Sequence, residues 1–371
     1  MITNLILLVL VYAAQRVASL PQQQILTSKI APKCVIVSMF QPEQESWTKE
    51  IDFPHTFQLP GLHPLYPNFI CTGDHSVCQV TTGEGEINAA TTIAFLISNP
   101  QFDFRKTYWL FAGIAGGDPA RITTGSVAFA QYAVQVGLSY QIDSREVSEW
   151  DTGYFSYGTR QPHEYPDSVY GTEVFELNRN LRDRAMTLAS HTVLKVGDDE
   201  NCKLRELYVG EVASGMPRVA ACDVLTSDNY FTGAVLNDAF GKYAALITNG
   251  TAKYCAAAQE ENGSLEAMIR GAQVGTVDFG RVVVMRSISN FVRMPRGLNV
   301  SAVEWFNEFP KGGYEHALRN LYVAGWPFVS DVVGRWTTLY EKGIQSENYL
   351  GDILGTLGGV RDFGKDSYKI T

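Results

Sequence analysis

Apolar runs along this chain end repeatedly in glycine or small polar residues. The clearest run covers residues 108–112 and leads into the glycine-rich segment 113–119, and a second apolar run, Val127–Ala130, follows. An apolar run that ends at glycines is typical of a buried central strand, and ligands of open α/β sheets bind at that end. Glycines there would let a ligand approach backbone N–H groups closely. They would equally serve a plain strand-to-loop turn, so both interpretations stay open.

The same pattern predicts the remaining elements. Buried strands are predicted at residues 34–40, just before residue 81, at residues 128–136 and at residues 281–290. Helices are predicted at residues 90–98, 173–189, 236–246, most of 256–270, and from Pro327, as a first helical residue, to about residue 340. Residues 51–80 are interpreted as loops and residues 145–172 as an inserted surface segment. This alternation predicts an α/β fold whose mostly parallel sheet brings four strand ends to one edge, at residues 38–43, 83–85, 113–118 and 287–290.

Composition limits the possible partners and the number of domains. The 371 residues are 45% apolar, which is enough for one large core, and neither an internal repeat nor an interdomain linker is found. Only 19% of residues are charged, and the net charge is −9. Because a nucleic-acid-binding surface needs a basic face, nucleic acid is not expected as a partner.

The first residues have the features of an export signal. Residues 5–14 form an unbroken apolar run that is followed by small residues, but the run is too short for a membrane anchor. We therefore expect a signal peptide at 1–20, a linker at 21–31 and one domain at 32–371. No later segment is apolar enough to span a bilayer, so the mature chain is expected to be secreted or associated with the cell surface.

Cysteines and glycosylation sequons agree with that location. The chain has six cysteines, which suits an oxidising compartment, and Cys71 and Cys78 enclose a short polar loop and are the first choice for a disulfide. The pairing of the other four stays open. Glycans are predicted at Asn249 and Asn299, whereas the sequon at Asn262 lies in a candidate site segment. No cysteine or histidine group has metal-binding spacing, so neither a metal nor an organic cofactor is expected.

Six segments, taken in order, carry a resemblance to a known family. They are VIVSMFQPEQESW, TTGEGEINAA, FAGIAGGDPARITTGSVAFA, LTSDNYFTG, QEENGSLEAM and VVVMRSISN. Over residues 32–350 the chain resembles the fungal purine nucleoside permeases and, more widely, the nucleoside phosphorylase and methylthioadenosine nucleosidase superfamily. The resemblance implies a three-layer α/β/α fold with a mixed, mostly parallel central sheet and surface insertions. It also implies a purine nucleoside as ligand and a possible homo-oligomer, since relatives often complete the site from a neighbouring subunit.

The resemblance implies a purine contact at the end of the last strand. Asn290, with its neighbour Ser289, looks like the residue that hydrogen-bonds the departing purine at N7. An asparagine there, rather than an aspartate, favours a 6-oxopurine. Tyr230 falls where the family stacks an aromatic ring on the base. The structural alternatives are a strand-end turn for Asn290 and a half-buried core position for Tyr230.

A ribose-binding group is implied at residues 260–262. Glu260, Glu261 and Asn262 fall where a family glutamate binds the ribose hydroxyls, although the family pattern Glu-x-Glu-Gly is not reproduced here. Two adjacent glutamates would equally suit a solvated helix face. The backbone contacts to the substrate are expected from Gly113, Ile114, Ala115 and Gly116.

The choice between water and phosphate depends on one acid and two arginines. Glu43 is spaced from the first strand like the acid that activates water in the related nucleosidases, and a carboxylate beside the ribose C1 can act as a general base. Its alternative role is to complement the dipole of a helix first turn. A phosphorylase would need cations around phosphate, a possible co-substrate here, and Arg121 and Arg286 are the only strand-adjacent candidates.

Two classes of function remain open. Cleavage of the N-glycosidic bond, with hydrolysis favoured over phosphorolysis, would make the protein a secreted nucleosidase or phosphorylase. A binding protein without catalytic activity that assists nucleoside transport is the alternative. Convergence of Glu43, Tyr230 and Asn290 on one pocket would favour the enzyme.

Overall fold

A computed structural model describes residues 28–309 and 312–368. The predicted signal peptide and the first part of the linker lie outside the described residues. The strands are β1 (Cys34–Ser38), β2 (His55–Gln58), β3 (Asn68–Cys71), β4 (Val77–Thr81), β5 (Tyr108–Gly117), β6 (Val127–Ala130), β7 (Tyr132–Gln135), β8 (Tyr140–Gln141), β9 (Tyr154–Phe155), β10 (Val174–Glu176), β11 (Val219–Ala221), β12 (Asp223–Thr226), β13 (Tyr254–Ala258), β14 (Val282–Phe291) and β15 (Gly351–Asp352). The α-helices are α1 (Gln41–Thr48), α2 (Glu86–Ile97), α3 (Arg179–Ala189), α4 (Asp199–Glu206), α5 (Ala234–Ile247), α6 (Glu261–Gln273), α7 (Ala302–Asn307) and α8 (Tyr314–Gly334).

The central sheet is mixed and closes on itself. Strands β4, β1, β5 and β14 run parallel to one another, and β7, β12 and β13 form a second parallel group. Strand β13 joins the two groups by pairing antiparallel with β5, while β6 pairs antiparallel with β14. Strand β6 also pairs parallel with β11, and one residue each separates β6 from β7 and β11 from β12. The sheet therefore closes in a ring in which β5, β13, the β12–β11 segment, the β7–β6 segment and β14 follow one another. Closure leaves these strands without unpaired edges.

Helices cover both faces of this sheet. Along β1, Val35 and Val37 belong to one hydrophobic cluster with residues of α2 and α6. The alternate residues Cys34 and Ile36 belong to another cluster with residues of α1, α3 and α8. Alternation of side chains along a strand buries every residue of β1 between two helical layers. The predicted three-layer α/β/α arrangement around a mixed sheet is confirmed.

Most of the segment 113–118, where the sequence predicts a strand end with a glycine-rich turn, is instead part of the strand. Strand β5 continues to Gly117, and its last residues pair with β13 on one side and β14 on the other. A Cβ on Gly117 would stand under 3 Å from side-chain atoms of Ile288 and Ile122. Glycine is therefore needed for close packing within the sheet.

Four other local predictions were wrong at their boundaries. Residues 51–80 contain the strands β2, β3 and most of β4, residues 173–189 begin with β10, and residues 256–258 belong to β13. Alanines extend in β13 because Ala256 and Ala257 pair with Gly117 and Gly116, where only small residues fit. Pro327 lies inside α8, which begins at Tyr314, and buried neighbours such as Phe328 and Val329 pack the helix on the sheet. Tertiary packing overrides local propensity in these segments.

The structure contains two disulfides. One disulfide joins Cys71 to Cys78 across the β3–β4 pair, and the other joins Cys222 to Cys255 across neighbouring strands. Cys34 is a buried free thiol. In the part of the chain that the structure describes, none of the helices combines the length and apolar character that crossing a bilayer would require.

The sequons differ in their exposure. Asn249 and Asn299 are exposed, whereas Asn262 is buried. Glycosylation at the two exposed asparagines stays a prediction.

Candidate functional site

A cavity of about 420 Å³ opens where the four predicted strand ends meet. Each strand end contributes to its wall, through Met39, Phe40, Glu43, Glu84, Ile114, Ala115, Gly116, Ser289 and Asn290. The loop after β12 adds Asn229, Tyr230 and Phe231, and the segment before α6 adds Gln259 and Glu260. The structure therefore brings Glu43, Tyr230, Glu260 and Asn290 to one cavity large enough for a small organic ligand.

Glu43 is a buried acid on the cavity wall. Its side chain extends from the first turn of α1, and the residue is only 1% exposed. The backbone N–H of Met39 donates to Oε2 at 2.7 Å, and that of Ile114 donates to Oε1 at 2.7 Å. Burial raises the pKa of Glu43 to about 8, and the charge of Glu260 adds to this shift, while Arg286 and the two backbone donors oppose it. The carboxyl group therefore ionises at neutral to mildly alkaline pH.

Arg286 is surrounded by acidic partners. It lies on β14, is 2% exposed, and its Nε donates to Glu261 while Nη2 donates to Glu260 at 2.8 Å. Its Nη1 donates to the carbonyl of Ile114 at 3.0 Å. Because Glu43 also faces this arginine, one guanidinium interacts electrostatically with three buried carboxyl groups. Burial raises the pKa of Glu261 as well, although its ion pair with Arg286 acts in the opposite direction.

Gly113 lies directly beneath this charged group rather than on the cavity surface. A Cβ at this position would stand under 3 Å from Nη1 of Arg286 and Oε1 of Glu43. The glycine therefore makes room for the arginine and the acid to meet above β5. Of the four predicted backbone contacts, Ile114, Ala115 and Gly116 line the cavity.

A chain of hydrogen bonds orients the amide of Asn290. The hydroxyl of Ser289 lies 3.2 Å from the carbonyl of Ala115 and 3.0 Å from Oδ1 of Asn290. The Nδ2 of Asn290 donates to the hydroxyl of Tyr230 at 2.9 Å. Tyr230 is 59% exposed and contacts Phe306 edge-on, with 5.5 Å between ring centroids. An amide held in this way presents one donor and one acceptor to a planar ligand.

Besides Gly113, three predicted site residues do not line the cavity. Arg121 is exposed and faces Asp118 at 3.6 Å, away from the lining residues. Asn262 is buried, where its Nδ2 donates to the carbonyl of Thr172 at 2.6 Å and ties α6 to the segment before β10. Glu261 accepts a hydrogen bond from Arg286 and is not part of the cavity wall.

The start of α8 was missed by sequence reasoning. Tyr314, the first residue of this helix, lines the cavity together with Gly312 and Gly313, and its ring lies 6.4 Å from that of Phe40. Two glycines before a helical pattern could have marked this start in the sequence, but the helix was predicted to begin only at Pro327. Among the described residues, no group of three or more histidine, cysteine or acidic side chains could hold a metal ion.

Comparisons with known proteins concern most of the chain. The family model described as purine nucleoside permease matches residues 31–345. A purine nucleoside permease of Candida albicans is 51% identical over 343 residues, which cover 91% of this chain and 84% of that protein. A probable purine nucleoside permease of Schizosaccharomyces pombe is 35% identical over 84% of this chain and 91% of that protein.

Solved structures provide a weaker likeness. A 5'-methylthioadenosine/S-adenosylhomocysteine nucleosidase of Colwellia psychrerythraea, in complex with adenine, is 17% identical with a TM-score of 0.48. The match covers 83% of this chain and 98% of that one.

Proposed function

This chain belongs to the purine nucleoside permease family, and we propose that its cavity binds a purine nucleoside and hydrolyses the N-glycosidic bond. The names of its relatives support a nucleoside as the ligand. The cavity volume and the amide of Asn290 beside the ring of Tyr230 suit a planar base. The predicted signal peptide and the two disulfides support an extracellular place for this reaction.

The observation that carries the proposal is the buried acid Glu43. A pKa of about 8 makes the Glu43 carboxylate a stronger base than an ordinary carboxylate, so its ionised form, whose share grows as the pH approaches 8, can accept a proton from water. In the proposed step the bond between C1 of the ribose and the purine nitrogen breaks, and the electron pair leaves with the purine. Water adds to C1 and gives its proton to Glu43, while Asn290 donates a hydrogen bond to the departing base. The purine nitrogen takes up a proton from solvent and Glu43 then releases the proton of the water to solvent, so that one water is consumed for each base released and Glu43 is ionised again.

The charges around Arg286 support water over phosphate as the acceptor. Three N–H groups of the guanidinium already donate to Glu260, Glu261 and a backbone carbonyl. A phosphate would have to compete with these partners for the guanidinium and approach the three carboxyl groups around Arg286, two of them on the cavity wall. By contrast, a ribosyl group that gains positive charge as its bond breaks is favoured by the same carboxylates.

A base-release assay tests the proposal. Purified protein is incubated with inosine, guanosine and adenosine, with and without phosphate, and compared with the variant Glu43→Gln. Glu45→Gln is the matched control, because Glu45 lies on the same helix but is not part of the cavity wall. We expect release without phosphate, which Glu43→Gln abolishes and Glu45→Gln retains.

Other outcomes would replace the proposal. Release that requires phosphate would make the protein a phosphorylase. Tight binding of a nucleoside without release of its base would favour a binding protein that assists transport, as the name of its relatives suggests.

A further inference from the structure

The loop between β12 and α5 forms one wall of the cavity. Its residues Asn229, Tyr230 and Phe231 all line the cavity, yet Asn229 and Tyr230 are exposed. Of these three residues, only Phe231 packs on the core, where its ring lies 4.8 Å from that of Phe240. Polar contacts at its ends must hold it against the site.

The end next to β12 is held by Asp228. The backbone N–H of Glu86 donates to Oδ1 of Asp228 at 2.8 Å, and Nε2 of Gln259 donates to the carbonyl of Asp228 at 3.0 Å. Glu86 is the first residue of α2, and the preceding residue, Gly85, has no side chain with which to cap that helix. Asp228 therefore supplies a capping carboxylate from a distant part of the chain, at the positive end of the helix dipole.

The same helix end also holds an acid of the cavity wall. The backbone N–H of Gly85 donates to Oε1 of Glu260 at 3.2 Å. Two successive N–H groups thus bind the carboxylate of Glu260 on the wall and that of Asp228 at the start of the Tyr230 loop. The far end of the loop is fixed separately, where Thr232 and Gly233 donate to the carbonyl of Val292 at 2.9 and 2.8 Å.

We propose that Asp228 is a positioning residue: by capping α2 it holds the Tyr230 loop at a set distance from Glu260, and so sets the width of the slot for the base. The identity of that base rests on the function proposed above. Asp228 itself does not line the cavity. Its effect on ligand affinity acts through Tyr230, whose hydroxyl must remain within reach of Asn290.

The experiment compares Asp228→Ala with Asp228→Asn. Asparagine accepts the same hydrogen bond and caps helices as well as aspartate does, so it is the conservative variant. Asp143→Ala is the matched control, because Asp143 caps a short helical turn outside the cavity through the N–H of Arg145 at 3.0 Å. Hydrogen exchange of peptides that cover residues 84–90 and 227–233 is measured without ligand. The KM and kcat for nucleoside hydrolysis are measured in parallel.

We expect Asp228→Ala to speed exchange in both peptides and to raise KM on the order of five-fold, with kcat changed far less. Asp228→Asn should restore both quantities, and Asp143→Ala should leave both unchanged. Unchanged exchange in Asp228→Ala would overturn the docking of the loop. Faster exchange with an unchanged KM would overturn its role in positioning. Failure of the proposed function would appear separately, as a wild-type protein that neither binds nor cleaves purine nucleosides, and the exchange data would still decide whether Asp228 docks the loop.

Discussion

Replacing Glu43 by glutamine should change the pH dependence of stability. The carboxyl group has a pKa of about 8 in the folded protein, against an ordinary value of 4.5. Between these two values the unfolded chain has released the proton and the folded chain still holds it. Because the unfolded state then binds fewer protons, the free energy of unfolding falls as the pH rises from the lower value to the higher.

The size of the effect follows from the two pKa values. Each pH unit in the middle of that window lowers the free energy of unfolding by about 1.4 kcal/mol, and each unit near either pKa lowers it by less. The wild-type protein therefore loses about 3 kcal/mol through this group between about pH 5 and about pH 8. Glu43→Gln has no such proton and should not show this loss. The amide also leaves the N–H of Met39 or Ile114 without an acceptor, which costs about 1–3 kcal/mol. That cost is independent of pH and shifts the whole curve without changing its slope.

Urea denaturation at several pH values, for wild type and variant, measures the difference directly. We expect the stability of Glu43→Gln relative to wild type to increase by about 3 kcal/mol over that range. Glu45→Gln should show no such increase over this range, because hydrogen bonds from Gln41 and Lys49 lower the pKa of Glu45, and its stabilising effect is lost only as the pH falls below the ordinary carboxyl range. A difference between Glu43→Gln and wild type that stays constant with pH would refute the reasoning.

Three further predictions concern residues around the site and the cross-link behind it. Gly113→Ala should destabilise the protein by about 1–3 kcal/mol in thermal unfolding and abolish turnover, since its Cβ meets the charged group; normal activity would contradict this. Arg286→Gln leaves two buried carboxylates unpaired and should lower the free energy of unfolding by about 3–5 kcal/mol. Arg121→Gln, at an exposed ion pair, should change it by no more than about 0.5 kcal/mol, and equal effects of the two variants would contradict the burial of Arg286. Cys222→Ser opens the link to Cys255, which spans 33 residues, and should lower the free energy of unfolding by about 3–4 kcal/mol under non-reducing conditions; a variant as stable as the wild type would contradict the cross-link.

The convergence of the site was predictable because it follows from strand polarity. The strands β1, β4, β5 and β14 are parallel, so their carboxyl ends share one edge wherever the chain folds as α/β. Apolar runs that end in polar or small residues mark those ends in the sequence. Glu43 and Asn290 could thus be placed near each other although 247 positions separate them.

The partners of charged side chains were not predictable in the same way. Arg286 was interpreted as a possible phosphate ligand, but its guanidinium is bound by two acids from the start of α6. Nothing local to residue 286 indicates those partners, since the contact depends on how α6 packs beside β14. Asp228 is a similar case: it looks like an ordinary turn residue and caps a helix that begins at Glu86.

The charge imbalance at the site has a physical consequence for catalysis. Two of the three carboxyl groups around Arg286 have a direct ion pair, but Glu43 has none, and burial therefore raises its pKa. This arrangement lowers stability at alkaline pH, because the backbone N–H groups of Met39 and Ile114 offset only part of the effect of burial. In the hydrolysis proposed above, the buried carboxylate would stabilise the positive charge that the ribosyl group gains as its bond breaks, whereas a neutral nucleoside gains little from it. Because that charge is present only in the transition state, we expect Glu43→Gln to lower kcat rather than to raise KM.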